Sequence, residues 1–235
     1  MIREAIVLAG GFGTRLRSVV ADLPKPMAPV NGKPFLHYVL LRLQQSGIRR
    51  VILSVGYLHE KIQSHFGAEY LGMQISYAIE KEPLGTGGGI RLAMGQCTDA
   101  HVLVVNGDTL FAIPYPDFFE QHLGSSADVS LALRRIEDGA RYGTIELNGK
   151  RIIAFREKSP DHSGVQLING GIYAIRRKSF MHSTEASKNF SIETDFFALQ
   201  TEHLQLQGFV YENYFIDIGV PEDYQQAQEE FARYS

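Results

Sequence analysis

The chain has 235 residues, with 23 Lys+Arg against 26 Asp+Glu, 44% hydrophobic residues, 23 glycines and one cysteine. That is enough for one large α/β domain with its own core, and a formal charge of −3 with a pI near 6.2 leaves no basic footprint for nucleic acid or an anionic membrane as main partner. A lone Cys97 excludes an internal disulfide or a thiolate metal cluster and fits a reducing compartment, so a cytoplasmic chain acting on a small ligand is expected.

In chain order, Glu4 to Ala9 is a continuous apolar run ending in glycines, which reads as a strand buried on both faces and followed by a tight loop. The run falls far below the ~18 residues of a membrane span, and neither a signal peptide nor an anchor is expected. Pro34 opens a helix with Leu36, Val39, Leu40 and Leu43 at helical spacing and Gly47 as its stop. Val51 to Val55 is the next strand, a helix runs through Lys61 and Phe66, and Ile75 to Ile79 and His101 to Asn106 are further strands. This alternation predicts right-handed crossovers and a mostly parallel sheet covered on both faces. From Asp128 the texture changes: VSLALRR, TIEL, RIIAFREK and GGIYAIRR are strands separated by turns such as Asn148-Gly149, which predicts an antiparallel elaboration. A closing helix is expected over Asp223 to Arg233. With no linker or repeat, the chain reads as one domain over residues 1–235, with lobes 1–127 and 128–235.

Directly after the first strand, Leu8-Ala9-Gly10-Gly11-Phe12-Gly13-Thr14-Arg15-Leu16 offers three glycines, a hydroxyl and a cation, so backbone N–H groups can converge on phosphate. The dinucleotide pattern fails, because Leu16 stands at its third glycine, and the Walker pattern lacks its Gly-Lys-Ser/Thr ending. Pro24 and Pro26 fix Lys25 between them, so Arg15 and Lys25 are candidates to grip a polyphosphate from two sides.

LAGGFGTRL followed by LPKPMAPVNGKPFL resembles the signature of the sugar-1-phosphate nucleotidylyltransferases. The other stations stand in that family's order: EPLGTGGG at Glu82 to Gly89, NGD at Asn106 to Asp108, EK at Glu157 and Lys158, NGGIY at Asn169 to Tyr173, IETD at Ile192 to Asp195 and FIDIG at Phe215 to Gly219. The resemblance implies a Rossmann-like nucleotidyltransferase fold with a mixed, mostly parallel central sheet, helices on both faces and an antiparallel sugar-binding elaboration. It also implies transfer of a nucleotidyl group from an NTP to a sugar 1-phosphate. Where many relatives carry a proline after TRL-x, this chain continues Arg17-Ser18-Val19-Val20, and RSVVADLPKPMAPV resembles the branch acting on D-glycero-D-manno-heptose 1-phosphate with GTP more than the glucose or mannose branches.

Asp108 follows an apolar strand and Asp217 sits within an apolar run 109 positions later, a pairing that spacing cannot reveal. By the resemblance these two hold Mg²⁺ together with substrate phosphates and water, the usual surroundings of that small hard cation. In-line attack of a sugar-phosphate oxygen on the α-phosphorus needs positioning and charge neutralisation and no nucleophilic side chain, so Arg15, Lys25, Asp108 and Asp217 are the candidate catalytic set. The resemblance places the nucleotide on Leu8, Ala9, Gly10, Gly11, Gly13, Thr14, Arg15 and Lys25, on the Glu82, Pro83, Gly85, Thr86, Gly87 turn, and on Asn106 and Asp108. It places the sugar phosphate on Tyr142, Gly143, Glu157, Lys158, Asn169, Gly170 and Glu193. Glu82 suits guanine N1–H and N2–H₂ as well as uracil N3–H, so the carboxylate alone leaves GTP and UTP open. The eight histidines show no metal spacing and read as surface or helix-end residues, and Cys97 reads as packing. A binding subunit without turnover would have lost Asp108, Asp217, Arg15 or Lys25, and a nicotinamide enzyme would carry the glycine fingerprint. A homo-oligomer is compatible with all of this.

Overall fold

The structure is a computed structural model that describes residues 2–11, 22–137, 143–156, 164–186 and 188–231. Its elements run β1 (Glu4–Leu8), a 3₁₀ turn (Lys25–Met27), β2 (Pro29–Val30), β3 (Lys33–Pro34), α1 (Phe35–Gln45), β4 (Arg50–Val55), α2 (His59–Phe66), β5 (Glu69–Tyr70), β6 (Met73–Ile79), α3 (Gly85–Met94), β7 (His101–Asn106), β8 (Thr109–Phe111) and α4 (Tyr115–Leu123). The chain continues as β9 (Val129–Ile136), β10 (Thr144–Asn148), β11 (Arg151–Arg156), β12 (Gln166–Arg176), α5 (Arg177–His182), a π-helical turn (Ile192–Phe197), α6 (Ala198–Gln200), β13 (Leu206–Tyr211), β14 (Phe215–Asp217) and α7 (Pro221–Glu230).

Among the described residues ten strands form one sheet in the order β10-β11-β13-β9-β12-β7-β1-β4-β6-β5. β7, β1, β4 and β6 are mutually parallel neighbours, as the strand–helix alternation requires. Beyond β7 the pairing turns antiparallel through β12 and β9, with β9 and β13 as one parallel pair inside the elaboration. A contact between Thr144 and Ile168 joins β10 back to β12, so the elaboration curls toward a ring.

The continuous apolar strands feed two cores because successive side chains point to opposite faces. Ala5, Val7, Val51, Leu53, Leu103 and Val105 face the core under α1, α2, α4 and α7, while Ile6, Ile52, Val102 and Val104 face the one under α3 and α5. Each fully buried Ile, Leu or Phe in these layers contributes roughly 1.5–3 kcal/mol. α7 begins at Pro221, two residues earlier than expected, and the Phe231 that follows it stacks on Phe35 of α1 at 5.7 Å between ring centroids.

Four helices, α3 to α6, were not anticipated, and α5 and α6 are short. α4 buries Tyr115, Phe118, Phe119 and His122, a helical stripe that the aromatic content hid. α3 starts with Gly85-Thr86-Gly87-Gly88-Gly89, although each interior glycine costs about 1 kcal/mol relative to alanine. Close packing explains them: a methyl on Gly88 would stand 2.5 Å from the Lys188 carbonyl, and one on Gly89 would stand 2.8 Å from Glu80 Oε1.

The histidines also need correcting. His37 is buried against Tyr70, with Nδ1 2.8 Å from the hydroxyl. His122 has no exposed surface and lies in a chain of 2.8 Å hydrogen bonds, His101 Nδ1 to His122 Nε2 and His122 Nδ1 to Ser130 Oγ. An imidazole fills apolar space when both nitrogens are satisfied. Cys97 is buried, as a packing residue should be, and burial pushes its thiol up to about 12.

Candidate active site

β1 and β7 lie side by side with Leu8 opposite Asn106, so the glycine loop and the NGD segment leave the sheet at one edge. Gly107 N–H donates to the Leu8 carbonyl at 2.9 Å, and a methyl on Gly107 would stand 2.7 Å from that oxygen, which explains the glycine before Asp108. Asp217 arrives by a separate ribbon. β14 pairs antiparallel with β8, placing Asp217 opposite Thr109, and Ile218 N–H donates to the Asp108 carbonyl at 3.1 Å. A two-strand ribbon thus brings together two acids that are remote in the chain.

Lys25 stands between them. Its Nζ donates to Asp108 Oδ2 at 2.6 Å and to Asp217 Oδ1 at 3.1 Å, with 11% of its side chain exposed against 33% and 29% for the acids. The 3₁₀ turn framed by Pro24 and Pro26 aims it there. Burial works against the Lys25 ammonium, but Asp108 and Asp217 outweigh it and hold its pKa above the usual lysine value. Asp217 is pushed above the usual carboxylate range by burial and by the Asp108 charge, against the pull of Lys25. Among the described residues two carboxylates meet one ammonium here, a negative excess that favours a further cation. Among the described residues no group of three or more His, Cys, Asp or Glu side chains forms a metal cluster, so a divalent ion here would rest on two carboxylates. That donor set suits an ion that completes its shell with phosphate oxygens and water.

A cavity of about 750 Å³ opens beside this centre, lined among others by Leu8, Gly10, Gly11, Asn106 and Asp108 and by Glu82, Pro83, Gly85 and Thr86 across from them. The volume falls in the range of small-molecule sites. Nine of the described nucleotide-side candidates line this one space, whereas Ala9 is buried in the core, Gly87 is covered by the Phe190 ring and Lys25 is held back on Asp108. Sequence reasoning missed Gly56, Tyr57, Ile79 and Glu80 in the same wall. Glu80 is the most informative of them, since its Oε2 accepts Leu84 N–H at 3.0 Å and its Oε1 accepts the Ser54 hydroxyl at 3.2 Å. It shapes the turn into α3 and keeps acceptor capacity, whereas Glu82 is exposed at the rim. A methyl on Gly10 would stand 3.1 Å from Glu80 Oε1, so the first loop packs on this carboxylate.

On the other side, Asn169 Nδ2 donates to Tyr173 OH at 2.7 Å and to Glu193 Oε1 at 2.5 Å, so two of the sugar-side candidates touch. Burial pushes the Glu193 carboxyl above its ordinary range, with Asn169 opposing. A register shift in β12 between Asn169 and Tyr173 accommodates Gly170, where a methyl would stand 2.8 Å from the Ala132 carbonyl, and Gly171 at φ +72°. Gly143 leads into β10. Gly13, Thr14 and Arg15 of the first loop, and Tyr142, Glu157 and Lys158 of the sugar side, lie outside the described residues.

The nucleotidyl transferase family profile matches residues 4–233. A D-glycero-alpha-D-manno-heptose 1-phosphate guanylyltransferase of Aneurinibacillus thermoaerophilus is 49% identical over 233 residues, 98% of this chain and 99% of its own. One of the same name from Campylobacter jejuni is 43% identical over 222 residues, 94% and 96% of the two chains. A crystal structure of HddC from Yersinia pseudotuberculosis complexed with GMP-PN superposes with a TM-score of 0.86 at 36% identity, covering 98% of this chain and all of that one. A sheet edge with a glycine loop, two acids on a ribbon and an adjoining cavity, set in a chain that aligns over nearly its whole length, places this protein in the nucleotidyl transferase family.

Proposed function

We propose that this chain transfers the guanylyl group of GTP to D-glycero-D-manno-heptose 1-phosphate, releasing pyrophosphate and forming a GDP-heptose. The observation that carries the choice of substrates is the 49% identity over 98% of the chain to a relative of that name. The GMP-PN complex of the HddC structure supports a guanine nucleotide in the same kind of site.

A phosphate oxygen of the sugar 1-phosphate forms the new bond to the α-phosphorus while the α–β bridging P–O bond breaks, its electrons leaving on pyrophosphate. Lobe 1–127 holds the nucleotide on Leu8, Ala9, Gly10, Gly11, Gly13 and Thr14 and on the rim at Glu82, Pro83 and Gly85, with Asn106 beside the ribose and phosphates. Arg15 and Lys25 bind the departing charge. Lobe 128–235 presents the sugar phosphate through Lys158, with Tyr142, Gly143, Glu157, Asn169, Gly170 and Glu193 around the ring. Asp108 and Asp217 would hold Mg²⁺, which when bound neutralises phosphate oxygens that otherwise repel the incoming phosphate. For the base, carboxylates at Glu82 and Glu80 offer acceptors to guanine N1–H and N2–H₂, donors that adenine lacks.

One thiol, buried, suits the reducing cytoplasm, and a GDP-heptose there would serve as a donor for surface glycan assembly. No helix among the described residues is long and apolar enough to cross a membrane. The test is pyrophosphate release with each NTP crossed against heptose, mannose and glucose 1-phosphates. The highest kcat/KM is expected for GTP with the heptose. If UTP exceeds GTP with every sugar, the guanylyl assignment falls, and if mannose 1-phosphate matches the heptose under GTP, the heptose assignment falls alone.

A further inference from the structure

The rim of the nucleotide cavity and the sugar-side acid are tied together by one segment, residues 188–195. Phe190 N–H donates to the Leu84 carbonyl at 3.0 Å, and Gly87 N–H donates to the Phe190 carbonyl at 2.9 Å. Asn189 Nδ2 donates to the Pro83 carbonyl at 2.7 Å. The Thr86 hydroxyl accepts Ile192 N–H at 2.9 Å. The glycines of α3 fit this docking: a methyl on Gly85 would stand 2.6 Å from the Phe190 carbonyl, and the face of Gly87 is covered by the Phe190 ring. Immediately before the residue that contacts Thr86, Ser191 Oγ accepts the amides of Glu193 and Thr194, which starts the π-helical turn and aims Glu193 at Asn169.

We propose that Thr86 is a positioning residue for the sugar phosphate, acting through Ile192 and Glu193, although it stands in the glycine-rich turn at the nucleotide rim. The N–H of Gly87 and the hydroxyl acceptor of Thr86 are both engaged by segment 188–195, so this part of the turn holds the sugar-side acid in register with the nucleotide pocket. Removing the hydroxyl leaves the Ile192 amide, beside a nearly fully buried side chain, without its partner. The π-helical turn then loses the anchor that precedes Glu193. This inference rests on the reading that Glu193 faces the sugar ring.

The experiment is a set of two-substrate initial rates, with GTP and the preferred sugar 1-phosphate, for Thr86→Val, Thr86→Ser, Glu193→Gln and the Thr86→Val/Glu193→Gln double variant. Thr86→Val is expected to raise KM for the sugar phosphate about tenfold while KM for GTP stays within about twofold, and Thr86→Ser, which keeps the hydroxyl, to restore it. The double variant is expected to match Glu193→Gln alone, because the two changes act on one element. A rise in KM for GTP alone in Thr86→Val makes Thr86 a nucleotide ligand and overturns the proposal. If Glu193→Gln leaves the sugar-phosphate KM unchanged, the sugar-side role of Glu193 falls and the proposal with it; if Glu193→Gln raises it and Thr86→Val does not, the proposal falls alone. Should Thr86→Val fail to fold, Asn189→Ala tests the same tie from the surface, with a two- to threefold rise in sugar-phosphate KM supporting it and a rise in GTP KM only overturning it.

Discussion

The sheet carries a charged cluster at each edge, and the two are built in opposite ways. At the edge where the strands begin, Glu4 accepts from Arg50 at 2.6 Å, from the Thr98 and Asp99 amides at 2.6 Å each and from the Thr98 hydroxyl at 3.3 Å. One acid meets one base, 4% of Glu4 is exposed, and those partners hold its carboxyl below the usual range against the effect of burial. At the edge where the strands end, Asp108 and Asp217 share one cation among the described residues, Lys25, and stay about one-third open to solvent. The first cluster is electrically closed and ties β1, β4 and the turn before β7 together. The second has a charge left over and an opening through which a ligand can balance it. Incomplete neutralisation beside a cavity separates a working site from a structural one more sharply than burial does.

The largest effects should therefore fall on different observables. Asp108→Asn or Asp217→Asn is expected to lower kcat by a factor on the order of 100 or more with the fold retained, whereas Glu4→Gln is expected to cost about 3 kcal/mol of stability with kcat/KM unchanged. Steady-state rates and denaturant midpoints for the three variants decide it. Near-normal turnover in an aspartate variant, or a catalytic defect in a fully folded Glu4→Gln, would break the contrast.

A third titratable centre sharpens it, because burial there outweighs the pull of the one acid that acts on it, Asp128. Burial, then the neighbouring His101 and Arg176, lower His122 to about 4 from an ordinary value of 6.5. The unfolded chain takes up this proton first, so the His122 contribution is complete above pH 6.5 and is lost as pH falls toward 4. By pH 5 the loss should reach about 2 kcal/mol. Melts of the wild type and His122→Gln between pH 7 and 5 check this: the variant starts lower and is flatter, and an equally steep slope in both would remove His122 as the cause.

Glu80 has two donors taken and acceptor capacity left in the wall of the cavity. Inosine triphosphate lacks the guanine N2–H₂, so the ratio of GTP to inosine triphosphate turnover reads whichever carboxylate accepts from that amine. Glu80→Gln is expected to reduce this ratio about tenfold, and Glu82→Gln less, because an exposed carboxylate is already hydrated in the free protein. The reverse order would return the base to the rim.

What the sequence made legible follows from how local each signal is. The apolar runs Glu4–Leu8 and His101–Asn106 announce doubly buried parallel strands, and Asn148-Gly149 announces a hairpin, because each reports its own conformation. The meeting of Asp108 and Asp217 was invisible to spacing, since it depends on β14 finding β8 from across the chain. Glu80 escaped because its signal is a carboxylate two residues before a motif, with no pattern of its own. His122 is the helix-end residue expected, but its burial was not legible, because an imidazole satisfied by His101 and Ser130 looks, in sequence, like any exposed one. The glycines of α3 were legible as a motif, but for Gly85, Gly87 and Gly88 the reason lies in Lys188 and Phe190, about a hundred residues away.

The smallest effect tests the electrical difference between the two edges directly. Asp217 is raised above the ordinary carboxylate value, so its folded form takes up a proton more readily than its unfolded form. Its contribution to stability is present only at low pH, below the unfolded value of 3.8, and is lost as pH rises through the raised folded value. At pH 7 the ionised carboxylate is thus a liability that Lys25, shared with Asp108, only partly offsets. Asp217→Asn removes that charge and leaves Lys25 paired with Asp108. Measured with a chelator present, the variant should be more stable than the wild type at pH 7, with the gap narrowing as pH falls toward 4. Glu4→Gln has the opposite sign throughout: its deficit is largest at neutral pH, because the lowered carboxyl contributes above the unfolded value of 4.5 and fades as pH drops through the folded one. Denaturant midpoints of both variants against pH should therefore start on opposite sides of the wild type at pH 7 and draw together under acid. A destabilised Asp217→Asn at pH 7 would mean that Lys25 is balanced by both acids together and that the active-site edge is as closed as the other.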